Sequence, residues 1–265
     1  MPLTHNSIHY ELTDLRPPWV KSTSAVLFHH GIGINMDMWS QWVPVIAAHY
    51  PVIRFDMRGF GESKISQSTQ TWTLTDLVTD VWGVADAVGC ESVHLVGESM
   101  GATVILAAAL AQPERALSIR MLNGTFKGQG IGELPDWEAQ FASGDAQGWS
   151  KRMMQNRFYQ TDVSPEALAW FEAEQAKTDP AVAIALGAIL ARTDLTSKLT
   201  RLAMPTAIVL PDQSPFVPVA HGDEFVRNVK HADFQIVKGV RHGLPFVRAA
   251  EQANLLLETL NRLTN

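Results

Sequence analysis

Gly97-Glu98-Ser99-Met100-Gly101 decides the fold, because a serine flanked by glycines stands here between a strand-like and a helix-like segment. The preceding Ser92–Val96 is a short run rich in apolar residues and predicts a buried strand. The following Ala102–Leu110 is apolar apart from one threonine and predicts a buried helix. A glycine–X–serine–X–glycine turn in this setting is typical of a nucleophile elbow, and Ser99 is therefore the candidate nucleophile. The alternative is a glycine-flanked turn with an inert serine.

Composition narrows the class of protein. The chain has 265 residues, 46% hydrophobic and 18% charged, which suits one large globular domain with an insertion. The formal net charge of −6 disfavours nucleic acid and anionic membranes as partners. The single cysteine, Cys90, excludes an internal disulfide, and we interpret it as a small packed hydrophobe.

Two further features bear on location. The stretch Met1–Asn6 has no basic segment followed by an apolar one, so we expect no signal peptide. The longest apolar runs are too short or too interrupted to span a bilayer. These features predict a cytoplasmic enzyme of small-molecule metabolism without a membrane partner, and a homodimer is left open.

Strand-like and helix-like segments alternate along most of the chain. The alternation of short apolar strands with helices predicts an α/β fold whose central sheet is mostly parallel and covered by helices. Two ribbon-like segments are predicted near the amino terminus, Ser7–Thr13 and Trp19–Lys21. The predicted strands are Ala25–His29, Pro51–Asp56, Ser92–Val96, Leu117–Leu122, Ala207–Leu210 and Phe234–Val237, and the predicted helices are Met38–His49, Leu74–Val88, Ala102–Leu110 and Leu244–Leu263.

Residues 126–201 interrupt this alternation, since they contain helical patterns and no convincing strand. An unstructured loop of this length inside a domain is implausible. We therefore predict a core domain of residues 1–125 and 202–265, with a helical cap at 126–201. Most of the large side chains of this cap should pack it together, and a few should line an apolar pocket above Ser99. The large side chains of the predicted cap are Trp137, Phe141, Trp149, Met153, Met154, Phe158, Tyr159, Trp170 and Phe171.

A serine nucleophile needs a base, and His242 is the best placed of the nine histidines. It follows the last predicted strand, so its loop lies at the same sheet edge as Ser99. A nucleophile early in the chain and a histidine late in it is the order expected for this motif. The alternative is a solvated loop histidine.

An oxyanion needs preorganised donors, and two backbone N–H groups are candidates. One belongs to Met100, directly after the candidate nucleophile, and the other to Ile32 in the glycine-containing loop after Ala25–His29. This loop lacks the rest of a dinucleotide or phosphate-binding motif. A metal pair of His29 and His30 has no apparent third ligand. We therefore predict no metal and no organic cofactor.

These motifs together resemble the α/β-hydrolase superfamily over nearly the whole chain. The resemblance rests on the elbow, the His30-Gly31 loop followed by Trp39, the segment Asp56-Met57-Arg58-Gly59-Phe60-Gly61-Glu62-Ser63, Leu122–Thr125 and the His242 loop. It implies an α/β-hydrolase fold with an inserted cap. The cap segment, from Trp149 to Asp194-Leu195, looks like that of 3-oxoadipate enol-lactonases and related small esterases.

The resemblance fails at the acid of the expected triad. The superfamily places an aspartate in the loop after the penultimate strand, and an ungapped alignment puts Ser214 at that position. The nearest carboxylate is Asp212, two residues earlier. Asn123, at an alternative position known in the superfamily, is not an acid. We expect Asp212 to orient His242, because a carboxylate stabilises an imidazolium far better than a hydroxyl does. The alternatives are an acid from elsewhere in the chain, or a weaker neutral partner that orients the histidine.

The predicted function is hydrolysis of a small carboxylic ester or lactone through an acyl-enzyme, with a partly apolar small molecule as substrate. Carbon–carbon bond hydrolysis and cofactor-free oxygenation on the same site are alternatives that the superfamily resemblance offers. An alternative from another class is a ligand receptor or signalling protein with a hydrolase fold. The fold cannot choose the substrate.

Overall fold

The computed structural model describes residues 2–20, 24–64, 71–131, 140 and 146–264. Seven strands form one sheet in the order β1-β3-β2-β4-β5-β6-β7, in which β1 is antiparallel to β3 and the other pairs are parallel. The strands are β1 Tyr10–Thr13, β2 Ala25–His29, β3 Val52–Phe55, β4 Val93–Glu98, β5 Ala116–Leu122, β6 Thr206–Pro211 and β7 Asp233–Val237.

The central strands are buried on both faces. Every residue of β2, β3 and β4 is buried, as expected for parallel strands that are covered by helices on either side. Parallel pairing also brings the carboxyl ends of these strands to one edge of the sheet. This architecture confirms the predicted α/β-hydrolase fold class.

Nine α-helices lie among the described residues, and the sequence explains several of their ends. Helix α2 begins at a capping box of Thr73 and Asp76 and ends at Gly89, whose φ of 80° suits a residue without Cβ. The helices are α1 Val43–Ala47, α2 Leu74–Val88, α3 Met100–Ala111, α4 Ala146–Arg157, α5 Pro165–Gln175, α6 Pro180–Arg192, α7 Ala220–Asn228, α8 Leu244–Val247 and α9 Ala249–Thr264.

Three predicted elements differ from the structure. The segment 38–49 is not one helix: a 3-10 helix, Met36–Trp39, precedes the short α1, which has Pro44 in its first turn. Trp19 and Val20 lie in a turn and an irregular segment, so the second amino-terminal ribbon is wrong there, and Lys21 lies outside the described residues. The predicted carboxy-terminal helix is divided at Arg248 into α8 and α9.

The segment between β5 and β6 contains α4, α5, α6 and a further 3-10 helix, Thr196–Arg201. Its two ends are joined by backbone hydrogen bonds: Gly128 N–H donates to the Thr193 carbonyl at 2.7 Å, and Leu195 N–H donates to the Phe126 carbonyl at 2.9 Å. The two ends of the segment between β5 and β6 therefore lie side by side, and we refer to this segment as the insertion. None of the helices in the described ranges is long and apolar enough to cross a membrane.

Candidate active site

Ser99 occupies the sharp turn between β4 and α3. Its backbone has φ 54° and ψ −119°, which a residue with a side chain rarely adopts. The turn is possible because both flanking residues are glycines, since each lies so close to other backbone atoms that a Cβ would not fit. A Cβ on Gly97 would lie 2.6 Å from the Gly101 carbonyl oxygen, and a Cβ on Gly101 would lie 2.5 Å from the His29 carbonyl oxygen. The strain at Ser99 is thus imposed by packing that tolerates no larger neighbour.

His242 meets Ser99 in hydrogen-bonding geometry. Its Nε2 lies 3.0 Å from the Ser99 Oγ, across 143 residues of sequence. The histidine loop is held on two sides, because Gly243 N–H donates to the Arg157 carbonyl at 2.9 Å and the Asn123 side chain donates to the His242 carbonyl. The core and the insertion therefore both fix the imidazole beside the serine.

The imidazole is suited to act as a neutral base. Burial holds the pKa of His242 well below its usual value, and the nearby Arg157 guanidinium lowers it further. The ring of Phe216 packs edge-on against it, with centroids 4.7 Å apart. A neutral imidazole that accepts the Ser99 proton at Nε2 must carry its own proton on Nδ1.

The prediction that Asp212 orients His242 is wrong. The acceptor opposite Nδ1 is the Ser214 Oγ at 3.0 Å, the position that matches the superfamily acid. Asp212 is exposed and instead accepts a hydrogen bond of 2.7 Å from Gly239 N–H. The physical reason is its position one residue beyond β6, where its side chain caps the turn that follows the adjacent β7.

Ser214 is itself held by the loop. Its Oγ lies 3.3 Å from the Phe216 N–H and 3.4 Å from the Val217 N–H, both of which donate to it. A hydroxyl in this position can fix the orientation and tautomer of the imidazole. It has no charge with which to stabilise an imidazolium.

Met100 follows Ser99 directly, and Ile32 lines the same cavity as Ser99, so both residues predicted to donate to an oxyanion lie near the serine. Met100 is the first residue of α3, so its N–H has no partner within the helix. Ile32 lies just beyond β2 and lines a cavity together with Ser99 and His242. Its carbonyl accepts a 2.7 Å hydrogen bond from Arg157, which fixes this loop to the insertion.

The cavity above Ser99 is small and mostly apolar. Its volume is about 30 Å³. The insertion contributes Ile131, Arg157 and Leu190 to its wall, and the loop after β6 contributes Phe216 and Val217. The insertion and the core therefore both line this cavity.

The large side chains of the insertion pack together, as predicted for most of them, but the prediction that a few line the cavity is wrong for the described aromatic residues. None of the aromatic residues that we singled out there, among those described, lines the cavity. Instead, Phe158 and Phe171 pack at 4.8 Å between centroids, and both contact Phe246 of α8, just after His242. This aromatic cluster fixes the histidine loop. Trp137 and Phe141 lie outside the described residues.

The segment Asp56–Ser63 has a structural role. The Asp56 carboxylate accepts hydrogen bonds from the backbone N–H of Met36 at 2.9 Å and of Glu62 at 3.0 Å. His30, in the neighbouring loop, accepts a 2.8 Å hydrogen bond from Met57 N–H at Nε2. These bonds fix the loop that carries Ile32. They also give the His30 Nε2 a hydrogen-bond partner within the protein.

Sequence reasoning missed two charged residues of the site, Glu98 and Arg157. Glu98 is 1% exposed at the end of β4, and its Oε1 lies 3.7 Å from the His242 Nε2. Arg157, at the end of α4, places its Nη1 3.5 Å from the same oxygen. The one available signal was an acidic residue at the end of an otherwise buried strand, inside the elbow motif.

Comparison with known proteins gives a consistent result. A family model described as alpha/beta hydrolase fold matches residues 24–249. The 3-oxoadipate enol-lactonase 1 of Acinetobacter baylyi is 26% identical over 225 residues, which cover 82% of this chain and 81% of that relative. It supports the resemblance to enol-lactonases.

Two solved structures share the architecture. The enol-lactonase from Burkholderia xenovorans has a TM-score of 0.86 at 18% identity, with 96% of both chains covered. The bromoperoxidase from Bacillus anthracis has a TM-score of 0.84 at 20% identity, covering 96% of this chain and 95% of that one. At these identities the likeness shows the fold alone. Since the family match includes the elbow and the histidine loop, the chain belongs to the alpha/beta hydrolase fold family.

Proposed function

We propose that this protein hydrolyses a small carboxylic ester or lactone through an acyl-enzyme formed on Ser99. The observation that carries the proposal is the 3.0 Å contact between the His242 Nε2 and the Ser99 Oγ, at a serine whose backbone is held at φ 54°. The relative named 3-oxoadipate enol-lactonase, at 26% identity, supports the ester or lactone class.

The reaction begins with proton transfer from the Ser99 Oγ to the His242 Nε2 as Oγ bonds to the substrate carbonyl carbon. The carbonyl π electrons move to oxygen and give a tetrahedral oxyanion. Its collapse breaks the bond to the leaving alcohol, which takes the proton from His242. A water then gives a proton to Nε2 as its oxygen bonds to the acyl carbon, which forms a second oxyanion. Collapse of this oxyanion breaks the bond to the Ser99 Oγ, which takes the proton back from His242 as the acid leaves. In a lactone, the leaving alcohol stays attached to the acyl group.

The backbone N–H groups of Ile32 and Met100 are proposed to hold the oxyanion. Donors in such a position stabilise charge that develops in the transition state, and removal of one typically costs about 10²–10³ in rate. The amino terminus of α3 adds a favourable dipole at the same place. The serine, its base and these donors all belong to the chain, so the proposed steps need no metal and no organic cofactor.

The insertion, residues 126–201, is proposed to act as a cap that limits substrate size. The small cavity of about 30 Å³ favours small acyl groups. Its apolar wall, with Ile131, Leu190 and Val217, suits a substrate with an apolar part.

Replacement of the nucleophile tests the proposal. We expect Ser99→Ala to abolish turnover of p-nitrophenyl acetate and butyrate while the circular dichroism spectrum and melting temperature stay close to wild type. Ser197→Ala, which changes an exposed serine on the insertion, is the matched control and should retain full activity. An unchanged rate in purified Ser99→Ala would rule out Ser99 as the nucleophile.

A further inference from the structure

Glu98 is a buried acid that the proposed reaction steps leave unused. It is 1% exposed, and neither carboxylate oxygen receives a hydrogen bond of normal length and angle from the described residues. The backbone opposite leaves room for it, since a Cβ on Gly31 would lie 2.2 Å from the Glu98 Oε2. A carboxylate that is buried at such cost calls for a specific partner.

Two charged or titratable groups face this carboxylate, and the Asn123 side chain and the Gly31 backbone also lie close enough to interact with it. The Oε1 of Glu98 lies 3.7 Å from the His242 Nε2 and 3.5 Å from the Arg157 Nη1. Arg157 is fixed in turn, because its Nη2 donates to the Ile32 carbonyl at 2.7 Å and its Nε donates to the Gln175 Oε1 at 3.0 Å. The carboxylate thus lies between a fixed cation and the catalytic base.

The arginine favours an ionised Glu98. A guanidinium remains charged in proteins, and a buried cation without an anion is strongly destabilising. Among the described residues, the ion-pair partner of Arg157 is Glu98. Burial raises the pKa of Glu98, and the Arg157 guanidinium opposes that rise.

The other side of His242 lacks a charge. Ser214 accepts from Nδ1 at 3.0 Å, so the imidazole is oriented there by a neutral hydroxyl. Once Nε2 has taken the Ser99 proton, the ring becomes a cation close to Arg157, in surroundings where charges interact more strongly than in water. Without a nearby anion, this state would be disfavoured.

We propose that Glu98 is a positioning residue that supplies, from the Nε2 side, the negative charge that the triad acid provides in other serine hydrolases. This inference rests on the proposed function. Glu98 stabilises the imidazolium and offsets its repulsion by Arg157, while Ser214 fixes the tautomer. The charge and the orientation, which one aspartate supplies in a triad, are here divided between two residues on opposite sides of the ring.

A double-mutant cycle separates this role from a structural one. In the natural background, Glu98→Gln should lower kcat for p-nitrophenyl butyrate by about 10²-fold, the lower end of acid–base contributions, with KM changed far less. In an S214D background the same substitution should cost less than about 3-fold, because the charge is then supplied at Nδ1. Equal losses in both backgrounds would show that Glu98 only supports the fold, and no loss in either would show that it supplies no charge.

The imidazole pKa gives a readout that needs no turnover. Because an anion beside a histidine raises its pKa, Glu98→Gln should lower the pKa of His242 in a nuclear magnetic resonance titration. Glu98→Asp, which keeps the charge on a shorter side chain, should lower it less, and this variant also serves if Glu98→Gln does not fold. A His242 pKa that stays at the wild-type value in either variant would overturn the inference.

The two proposals fail in different ways. Wild-type protein without Ser99-dependent ester turnover would overturn the proposed function, and the titration of His242 would still decide whether Glu98 supplies the charge. Turnover that depends on Ser99 but is unaffected by Glu98→Gln would leave the proposed function standing and reject the role of Glu98.

Discussion

Two segments contact His242 from opposite sides, and they differ in how closely their sequences match the family pattern. The elbow Gly97–Gly101 matches the family pattern at its fixed positions, whereas the loop Asp212–Pro218 has a serine where the family has an acid. Both segments place a hydroxyl 3.0 Å from an imidazole nitrogen. The geometry of a triad is therefore present, although the charge of its acid is missing.

The difference shows what each segment must satisfy. At the elbow, hard contacts decide the sequence, because a Cβ at either glycine would overlap backbone atoms. In the loop after β6, one acceptor at the correct distance is enough to orient the imidazole, and a hydroxyl or a carboxylate can provide it. Steric constraints thus fix the elbow, while the acid position can change if the charge is supplied elsewhere.

Restoring the acid gives the largest expected effect on this comparison. In the Glu98→Gln background, Ser214→Asp should raise kcat for p-nitrophenyl butyrate by up to about 10²-fold, because a carboxylate at Nδ1 then stabilises the imidazolium; in the natural background, where Glu98 supplies the charge, the gain should be smaller. Steady-state kinetics would measure the change. Ser214→Ala, which removes the acceptor, is the matched variant and should lower kcat; a decrease of kcat in both variants would contradict the proposed role of this position.

Disturbing the elbow should act first on stability. Gly101→Ala puts a Cβ 2.5 Å from the His29 and His30 carbonyl oxygens, so we expect a loss of about 1–3 kcal/mol in the free energy of unfolding, together with loss of activity. Urea denaturation would measure the former.

Gly83→Ala is the control for this substitution. Gly83 lies within helix α2, and a Cβ added there would have no neighbouring atom within 4 Å. We therefore expect a gain of about 1 kcal/mol in the free energy of unfolding. Equal effects of the two substitutions would show that close contact does not constrain the elbow.

The histidine between the two segments sets the pH range. Because burial and Arg157 lower the pKa of His242, the imidazole should remain neutral, and thus able to accept a proton, as the pH falls from neutral to somewhat below 6.5. Activity should be lost only as the pH falls through this lowered pKa. The acid limb of kcat/KM should therefore have its midpoint below pH 6.5, and a midpoint above that value would contradict a desolvated base.

The smallest effect is expected at Asp212. Asp212→Ala removes the acceptor for Gly239 N–H, so we expect a loss of about 0.5–1.5 kcal/mol in stability. Since the carboxylate does not contact His242, kcat should change by less than about 2-fold. A decrease of the order of 10⁴, as expected when a triad aspartate is neutralised, would restore Asp212 as the acid.

Much of the fold follows from the sequence, because its elements carry local signals. The strand predicted at Ala25–His29 and the helix predicted at Leu74–Val88 are confirmed with those bounds, the first by continuous burial and the second by its caps. The structure of the segment 38–49 was harder to predict, since Pro44 and tertiary packing divide it into two short helices. Ser99 and His242 could be paired because motif and chain order place both at one sheet edge.

The charges around the histidine could not be found in this way. The elbow motif accepts any residue at position 98, and the contact of Glu98 with Arg157 joins residues far apart in the chain. At the acid position, the ungapped alignment indicated Ser214, and the preference for a carboxylate led to Asp212 instead. Side-chain direction at the end of a strand depends on its neighbours, here Gly239, and the sequence does not encode it locally.

Trapping of the acyl-enzyme tests the central claim most directly. The protein would be mixed rapidly with p-nitrophenyl acetate, quenched in acid within the first turnover and digested for mass spectrometry. We predict one acetyl group on the peptide that contains Ser99, and none on that peptide from Ser99→Ala. Turnover without an acetylated Ser99, or acetylation of a different residue as the kinetically competent intermediate, would contradict the account.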